Sequence, residues 1–259
     1  MHQAYGLALV TGASSGIGEH IARAAAADGT DLVIVARRAD RLERLAKALT
    51  IAYQVRVEVL PADLLTESGV AAVLARLADP DRPVELVVNN AGFGIGGRFA
   101  DLTEAEAVSQ IGLNVVALVR ITRAALPAML AAGHGGILNV SSVAGFVAPP
   151  DSAIYSATKA FVTSFSESLH AEVRGSGVHV TALCPGFTRT EFHAASAEPP
   201  GVPGFAWLDA GQVARAGLDA VAAGRPLSIP GIQYQAVTGL VKLLPRRAIR
   251  AVLSPSRRR

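Results

Sequence analysis

A tyrosine and a lysine four residues apart, Tyr155 and Lys159, form the pair in this sequence best suited to acid–base chemistry. In a helix, this spacing places both side chains on one face, one turn apart. A tyrosine with a pKa of about 10 is a poor base at neutral pH, but a neighbouring ammonium favours the phenolate and lowers that pKa. The pair therefore predicts a group that exchanges protons near neutral pH. Alone, such a pair is usually an ordinary surface pair, so the surrounding motifs decide its interpretation.

A glycine-rich segment at residues 11–18 follows a short apolar run and precedes a helical one. Gly12 permits a sharp turn, Gly16 lets the backbone approach a pyrophosphate, and Gly18 allows the helix to pack closely on the strand. The free amides and the dipole at the start of a helix attract an anion. The segment predicts a dinucleotide site, and a glycine-rich turn without a ligand is the alternative.

Short aliphatic runs alternate with alanine-rich helical stretches along most of the chain. Strands that are apolar throughout are buried on both faces, and their alternation with helices implies a parallel sheet covered on both sides. We predict an α/β, doubly wound Rossmann-type fold with about seven parallel strands. The predicted strands cover residues 7–11, 32–36, 55–60, 84–88, 136–140, 178–183 and 227–229.

The spacing G-x-x-x-G-x-G resembles that of the short-chain dehydrogenase/reductase family. The resemblance extends to N-N-A-G at residues 89–92, to Y-x-x-x-K at residues 155–159 and to P-G at residues 185–186. These motifs occur in the family's order between about residues 7 and 190. They imply an enzyme that reversibly transfers a hydride between a nicotinamide cofactor and a carbonyl or secondary alcohol.

The residues after the second strand indicate which cofactor is bound. An acid there would hydrogen-bond the ribose 2′-OH of NAD, whereas an arginine accommodates the 2′-phosphate of NADP. Ala36 stands where NAD-preferring relatives have Asp, and Arg37 where NADP-preferring relatives have a basic residue. We predict NADP(H) rather than NAD(H), although Arg37 could also be a solvated residue at the helix start. Arg38 is interpreted as such a solvated residue, and Ser15 stands where some NADP-preferring relatives carry a second basic residue.

The resemblance implies a catalytic set of four residues. Tyr155 would exchange the proton, and Lys159 would lower its pKa and bind the nicotinamide ribose. Ser142 would polarise the carbonyl, while strand alternation should point Ser141 the other way. Asn114 would hold a water in a proton relay, with local bonding inside its helix as the alternative.

The family also implies a larger set of residues against the cofactor. Asn89 is instead expected to stabilise the sheet, and a loop or capping role is the alternative for Asp63. The cofactor set is Gly12, Ser14, Ser15, Gly16, Ile17, Gly18, Arg37, Asp63, Leu64, Asn90, Ala91, Gly92, Tyr155, Lys159, Pro185, Gly186, Thr188 and Thr190.

No metal site is predicted. The six histidines show no ligand spacing, and Cys184, the single cysteine, is interpreted as a buried strand residue. One cysteine also excludes an intramolecular disulfide framework.

Apolar and aromatic residues are expected to form the substrate wall. They lie in a loop at about residues 186–208, which carries Phe192, Pro199, Pro200, Pro203, Phe205 and Trp207, and opposite it at residues 93–95 and 146–150. Because this wall has little charge, we predict a lipophilic carbonyl or alcohol substrate. The alternative is that the aromatic residues only pack the loop.

Charge is distributed unevenly along the 259 residues, of which 51% are hydrophobic and 17% charged. Eight of the 24 basic residues follow Asp219, the last acidic residue. We therefore predict one catalytic domain at residues 1–231 and a basic amphipathic extension at residues 232–259. The extension could pack on its own domain or on a partner subunit, or it could make a peripheral contact with an anionic membrane. Nucleic-acid binding is not expected, because no recognition motif accompanies the arginines.

The longest stretch without a formal charge, residues 124–150, is interrupted by polar and turn residues, so no membrane span is predicted and a cytoplasmic protein is expected. The resemblance implies a homodimer or homotetramer, with the helices of Asn114 and Tyr155 at the subunit contact. A non-catalytic NADP(H)-binding sensor and a membrane-surface scaffold are the alternative functions.

Overall fold

The computed structural model describes residues 5–191 and 202–243. Its sheet has seven parallel strands in the order β3-β2-β1-β4-β5-β6-β7. The first three strands are added from β1 towards one edge, and β4 to β7 are added from β1 towards the other, so the order of addition reverses between β1 and β4. This confirms the predicted doubly wound fold. The strands are β1 (Leu7–Thr11), β2 (Asp31–Ala36), β3 (Val57–Pro61), β4 (Leu86–Asn89), β5 (Gly135–Val140), β6 (Val178–Leu183) and β7 (Leu227–Ser228).

Helices cover both faces of this sheet. They are α1 (Gly16–Ala27), α2 (Ala39–Tyr53), α3 (Glu67–Leu77), α4 (Glu104–Ile111), α5 (Leu118–Ala132), α6 (Ala153–Glu172), α7 (Ala210–Ala222) and α8 (Ile232–Leu243). One core cluster joins α1, α2, α7 and α8 to the sheet, and a second joins α3, α5 and α6 to its other face. The carboxyl ends of the strands are thereby left open at one edge.

Some element limits differ from the predictions for local reasons. β1, β4 and β5 are buried along their whole length, but β3 is only partly buried because it is one of the two edge strands. The sequence predicts a helix at residues 39–49, but α2 continues for a further turn to Tyr53. Gln54 then ends it in a left-handed conformation with φ 58°. The T-x-x-E spacing of Thr103 and Glu106 predicts a capping box at the start of α4, and the structure confirms it, because each side chain accepts a backbone hydrogen bond from the other residue.

The sequence predicts helix from near Thr103 to about Ala132, but not the form of the connection between α4 and α5. It is a π-helical segment, Gly112–Ala117, so helix continues without a break from Glu104 to Ala132. By length and mean hydropathy (1.7) this run could cross a bilayer, a property that core helices of folded domains share. Here Ile121, Ala125 and Met129 are buried in the core.

Asn89, at the end of β4, stabilises the sheet as predicted. Its Nδ2 donates to Oδ1 of Asn139 on β5 at 2.9 Å and to Oγ1 of Thr122 on α5 at 3.0 Å. These bonds fix the centre of the sheet directly beneath the residues that follow β4.

Candidate active site

The carboxyl ends of the strands open into a cleft of about 920 Å³. It lies at the topological switch point between β1 and β4, where the order of strand addition reverses. This is the usual ligand position in open α/β sheets. Of the predicted site residues, all line this cleft except Gly18 and Asn114. Those two lie behind its wall and shape it from there, as described below.

The glycine-rich loop forms one end of the cleft. Gly12 and Gly16 have φ of +68° and +59°, a conformation that favours glycine. A Cβ on Gly18 would lie 2.5 Å from the carbonyl oxygen of Gly12, so only glycine lets α1 pack this closely. Asn90 donates to the carbonyl oxygens of Thr11 at 3.0 Å and Gly12 at 3.3 Å, which ties the loop to the end of β4.

The start of α1 is left without a side-chain cap. Ser15 occupies the N-cap position but accepts no capping hydrogen bond, whereas Thr66 of α3 accepts one from Gly69 at 3.0 Å. The first backbone N–H groups of a helix need a partner from outside the helix. The amides of the first turn of α1 are therefore suited to hold an anion in the cleft.

Two arginines, not one, flank this loop. Arg37 is exposed, lines the cleft and makes no side-chain hydrogen bond or ion pair within the described residues. Arg38 donates to Oγ of Ser14 at 3.0 Å and to Oγ of Ser15 at 2.8 Å. The interpretation of Arg38 as merely solvated is therefore wrong. Its guanidinium contacts Ser15, the residue that stands where some NADP-preferring relatives carry a second basic residue.

At the other end of the cleft, Tyr155 and Lys159 project from α6 towards Ser142, which follows β5. Tyr155 and Ser142 are joined by a side-chain hydrogen bond. Lys159 is buried, with its Nζ 5.7 Å from the centroid of the Tyr155 ring and 2.8 Å from the carbonyl oxygen of Val140. Oγ of Ser142 accepts from the Ala144 amide at 3.1 Å, which leaves its own hydrogen to donate.

The electrostatic effect on Tyr155 differs from the sequence prediction. Burial raises the pKa of Tyr155, and the hydrogen bond with Ser142 acts in the opposite direction. The predicted lowering by Lys159 is not found for the protein alone, where desolvation of the phenolate is the largest effect on the pKa. Burial also lowers the pKa of Lys159 itself, to about 8.

Asn114 lies in the π-helical segment and is buried. Its Oδ1 accepts from the Phe93 amide at 3.1 Å, and its Nδ2 donates to the Phe93 carbonyl at 2.8 Å and to Oγ1 of Thr158 at 3.1 Å. Local bonding inside its own helix is therefore wrong. A Cβ on Gly92 would lie 2.9 Å from Oδ1 of Asn114 and 3.5 Å from Nζ of Lys159, so both groups approach the same glycine. The water relay stays a prediction.

Ser141 and Asp63 are held by hydrogen bonds that bear on their predicted roles. Oγ of Ser141 is buried and donates to the Lys159 carbonyl at 2.7 Å, so its hydroxyl is already engaged within the protein. Asp63 accepts from the Leu65 amide at 3.0 Å and also lines the cleft. The side chain thus has a role in the loop before α3, whose N-cap is Thr66, and a contact with a ligand is compatible with that role.

The segment after β6 covers the glycine-rich loop. Oγ1 of Thr188 donates to the Gly186 carbonyl at 3.0 Å. A Cβ on Gly16 would lie 3.2 Å from Cβ of Thr190, so this segment reaches the start of α1. Both threonines line the cleft beside the positions predicted to bind the diphosphate.

The predicted substrate wall is present in part. Phe93, Val147, Pro149 and Phe187 line the cleft near Tyr155. Among the described residues, Ile95, Phe146, Pro203, Phe205 and Trp207 do not line it. Phe205 is 77% exposed, and Trp207 packs on Phe187 with ring centroids 5.6 Å apart. Phe192, Pro199 and Pro200 lie outside the described residues.

Tyr234 of α8 was missed by sequence reasoning. Its hydroxyl accepts from the Phe187 amide at 3.0 Å and donates to the Ala206 carbonyl at 2.7 Å. Its ring occupies the space that a side chain on Gly186 would need. Tyr234 thus joins the two ends of the predicted substrate loop. The domain boundary placed at residue 231 stays a prediction, and residues 244–259 lie outside the described part of the chain.

Within residues 5–191 and 202–243, no three or more His, Cys, Asp or Glu side chains are grouped as a metal site would require. Cys184 is buried as predicted, and burial raises the pKa of its thiol to about 11. The thiol is therefore protonated at neutral pH, which is unsuited to a nucleophile.

Comparisons with known proteins identify the family. Residues 6–200 match the family model for short chain dehydrogenases. Sulfoacetaldehyde reductase 2 of Chromohalobacter salexigens is 39% identical over 188 residues, which cover 72% of this chain and 74% of that protein. A solved short-chain dehydrogenase from Sphingobium yanoikuyae in complex with NADPH is 35% identical, covers 97% of this chain and 96% of its own, and has a TM-score of 0.84.

Two further solved proteins bear on substrate and cofactor. The bulky-bulky ketone specific alcohol dehydrogenase from Comamonas testosteroni is 31% identical, with coverage of 94% and 96% and a TM-score of 0.79. A relative from Burkholderia phymatum in complex with NAD is 28% identical, with coverage of 93% and 94% and a TM-score of 0.81. Together with the match over residues 6–200, these likenesses show that the chain belongs to the short-chain dehydrogenase family and is an oxidoreductase that acts on carbonyl or alcohol groups.

Proposed function

We propose that the protein is an NADPH-dependent oxidoreductase that reversibly transfers a hydride to the carbonyl carbon of a lipophilic ketone or aldehyde. The observation that carries the proposal is the hydrogen-bonded pair of Tyr155 and Ser142, with the buried Lys159 beside it, in the cleft that also contains the glycine-rich loop. A non-catalytic NADP(H)-binding sensor would have no need of this arrangement.

The residues around the loop fit a dinucleotide phosphate. The first-turn amides of α1 and Thr190 suit the diphosphate, and Arg37 and Arg38 suit a 2′-phosphate, which guanidinium groups bind with two parallel hydrogen bonds. Asp63 would reach the adenine. The stretch Asn90 to Gly92 and Thr188 would line the nicotinamide half. When bound, NADPH supplies the hydride.

The chain's own residues manage the proton. In the direction of reduction, Tyr155 donates its phenolic proton to the carbonyl oxygen, while the Ser142 hydroxyl donates a hydrogen bond to the same oxygen. Ser142 and the ammonium of Lys159 then stabilise the phenolate that Tyr155 becomes. The side chains of Lys159 and Asn114 both approach Gly92. We expect the proton that restores Tyr155 to pass along these two residues.

The lining near Tyr155 favours an uncharged substrate. Phe93, Val147, Pro149 and Phe187 present apolar surface, and Lys159 is the one cation that the described residues place at this end. An anionic substrate such as a sulfonate would need a further cation there. The ketone specificity stated for the Comamonas protein supports the same class.

Turnover with a substrate panel tests the proposal. NADPH oxidation would be followed by absorbance with bulky apolar ketones, short aldehydes, sulfoacetaldehyde and sugar phosphates. We expect the highest kcat/KM with the apolar ketones. Activity confined to the charged compounds would contradict the substrate class.

Replacement of Arg37 by alanine tests the cofactor preference. Hydrogen bonds to charged groups contribute about 1.5–3 kcal/mol, so Arg37→Ala should weaken NADPH binding about 10- to 100-fold. The Kd for NADH should change little, because NADH lacks the 2′-phosphate. Isothermal titration of both cofactors measures the two values, with Arg44→Ala on α2 as the control. An equal loss for both cofactors would refute the assignment.

We also propose a homodimer or homotetramer that uses the helices of Asn114 and Tyr155. Their outer faces expose Val108, Ile111 and Val116 on one side and Phe161 on the other. An apolar face of this kind is typical of a subunit contact. Sedimentation equilibrium measures the state, and a monomer at micromolar concentration would contradict it.

The proposed location is the cytoplasm, with contact between the basic extension and an anionic membrane as a secondary proposal. Because Tyr234 holds the substrate loop, the test should delete residues 244–259 only. Loss of partitioning onto anionic liposomes would support membrane contact, and unchanged partitioning would refute it.

A further inference from the structure

Glu191 brings a carboxylate to the arginines beside the glycine-rich loop. It follows the Thr188–Thr190 segment and lines the same cleft. Its two oxygens accept from Nη1 of Arg38 at 3.1 Å and from Nη1 of Arg41 at 2.6 Å. Hydrogen bonds from Arg41 and Arg38 lower the pKa of Glu191, so the side chain is anionic at neutral pH.

This contact completes the bonding of Arg38. Its Nε and Nη2 donate to Ser14, Nη2 also donates to Ser15, and Nη1 donates to Glu191. All three guanidinium nitrogens are thus engaged. Arg37 makes no such contact within the described residues, so the two neighbouring arginines differ in how available they are to a new anion.

A 2′-phosphate bound in the cleft and the carboxylate of Glu191 would accept hydrogen bonds from the same guanidinium, that of Arg38. Two anions held on one guanidinium repel each other, and the repulsion is appreciable at the distances of a shared contact. A phosphate that reaches Arg38 must therefore displace the carboxylate or bind less tightly beside it. NADH has no group at this position and would leave the ion pairs intact.

We infer that Glu191, which Arg41 also holds, competes with the 2′-phosphate of NADP(H) for Arg38, and so sets how strongly this enzyme prefers NADP(H) over NAD(H). The inference rests on the proposed cofactor. It assigns to Glu191 a role in specificity that is opposite in sign to that of Arg37. Removing a cation should weaken NADPH binding, whereas removing this anion should strengthen it.

The variant Glu191→Gln keeps the size of the side chain and removes its charge. Exposed ion pairs contribute little each, so loss of the competing carboxylate should lower the Kd for NADPH by only about three- to tenfold. The Kd of 2′,5′-ADP, which carries the same phosphate, should fall by a similar factor. The Kd values of NADH and 5′-AMP should stay within about twofold. Glu191→Asp keeps the charge and should resemble the wild type more than Glu191→Gln does.

Isothermal titration of the full-length protein gives all these values. Glu67→Gln is the matched control, because Glu67 forms an exposed pair with Arg120 outside the cleft. A Kd for NADPH that is unchanged or higher in Glu191→Gln would overturn the inference, since Glu191 would then orient the arginines rather than compete for them. A wild-type protein that fails to distinguish 2′,5′-ADP from 5′-AMP would overturn the proposed cofactor as well, which separates the two failures.

Discussion

Replacing Tyr155 with phenylalanine is expected to lower kcat for ketone reduction about a thousandfold, since general acid catalysis typically contributes factors of about 10² to 10⁴. The phenylalanine ring would fill the same space beside Gly94 as the tyrosine ring, so the cleft should keep its shape. Only the proton donor and the hydrogen bond with Ser142 would be lost. Steady-state turnover measures kcat, and titration should show an NADPH Kd close to that of the wild type.

Tyr53→Phe is the matched control for this change. Tyr53 is 43% exposed at the end of α2, outside the cleft lining, so its variant should turn over normally. A Tyr155→Phe enzyme that kept a tenth or more of the wild-type kcat would show that another group supplies the proton.

Replacing Lys159 with methionine should also abolish most activity, with kcat reduced by a factor of about 10² to 10³. The buried ammonium is the cation beside the Tyr155 ring, and methionine fills similar space without charge. In the wild type, burial lowers the pKa of Lys159 to about 8. Activity that needs the ammonium should therefore be present below about pH 8 and decline as pH rises through it. A pH–rate profile that stays flat to pH 9.5 would contradict this role.

The same buried lysine should make the free energy of unfolding rise with pH, whereas activity falls with pH. Because its pKa is lower in the folded protein than in the unfolded chain, the charged form opposes folding, fully so below about pH 8. This penalty is relieved as pH rises from about 8 towards the usual lysine pKa, by about 2–3 kcal/mol in the free energy of unfolding. Lys159→Met should lose this pH dependence and Lys47→Met should keep it. Urea unfolding at pH 7 and pH 10 compares the variants with the wild type, and equal pH dependence in both variants would refute the explanation.

Local patterns in the sequence predicted the fold well. Each buried strand is a short aliphatic run, and the Thr103–Glu106 pair marks the start of α4 by contacts within one turn. The glycine positions were interpretable for the same reason: a turn at Gly12 or a close contact at Gly18 admits few residue types. These features depend on residues close in the chain or on strict steric limits.

The features that were missed depend on long-range contacts or on solvation. Arg41 and Glu191 are 150 residues apart, and Tyr234 meets Phe187 from a helix that follows the whole sheet. Neither contact leaves a periodic pattern. The spacing of Tyr155 and Lys159 predicted their proximity correctly, but spacing does not reveal how much water either group loses. This loss of water raises the pKa of Tyr155, whereas the spacing predicted a lower pKa.

Transfer of deuterium from cofactor to product would show directly whether this cleft carries out hydride transfer. The wild-type enzyme would be incubated with NADPH deuterated at C4 of the nicotinamide, one stereoisomer at a time, and with the best apolar ketone of the panel. We expect the alcohol product to carry one deuterium on its carbinol carbon with one of the two stereoisomers, and Tyr155→Phe to form about a thousandfold less of it in the same time. Alcohol without deuterium from either stereoisomer, or no oxidation of NADPH with any carbonyl compound, would contradict hydride transfer in this cleft.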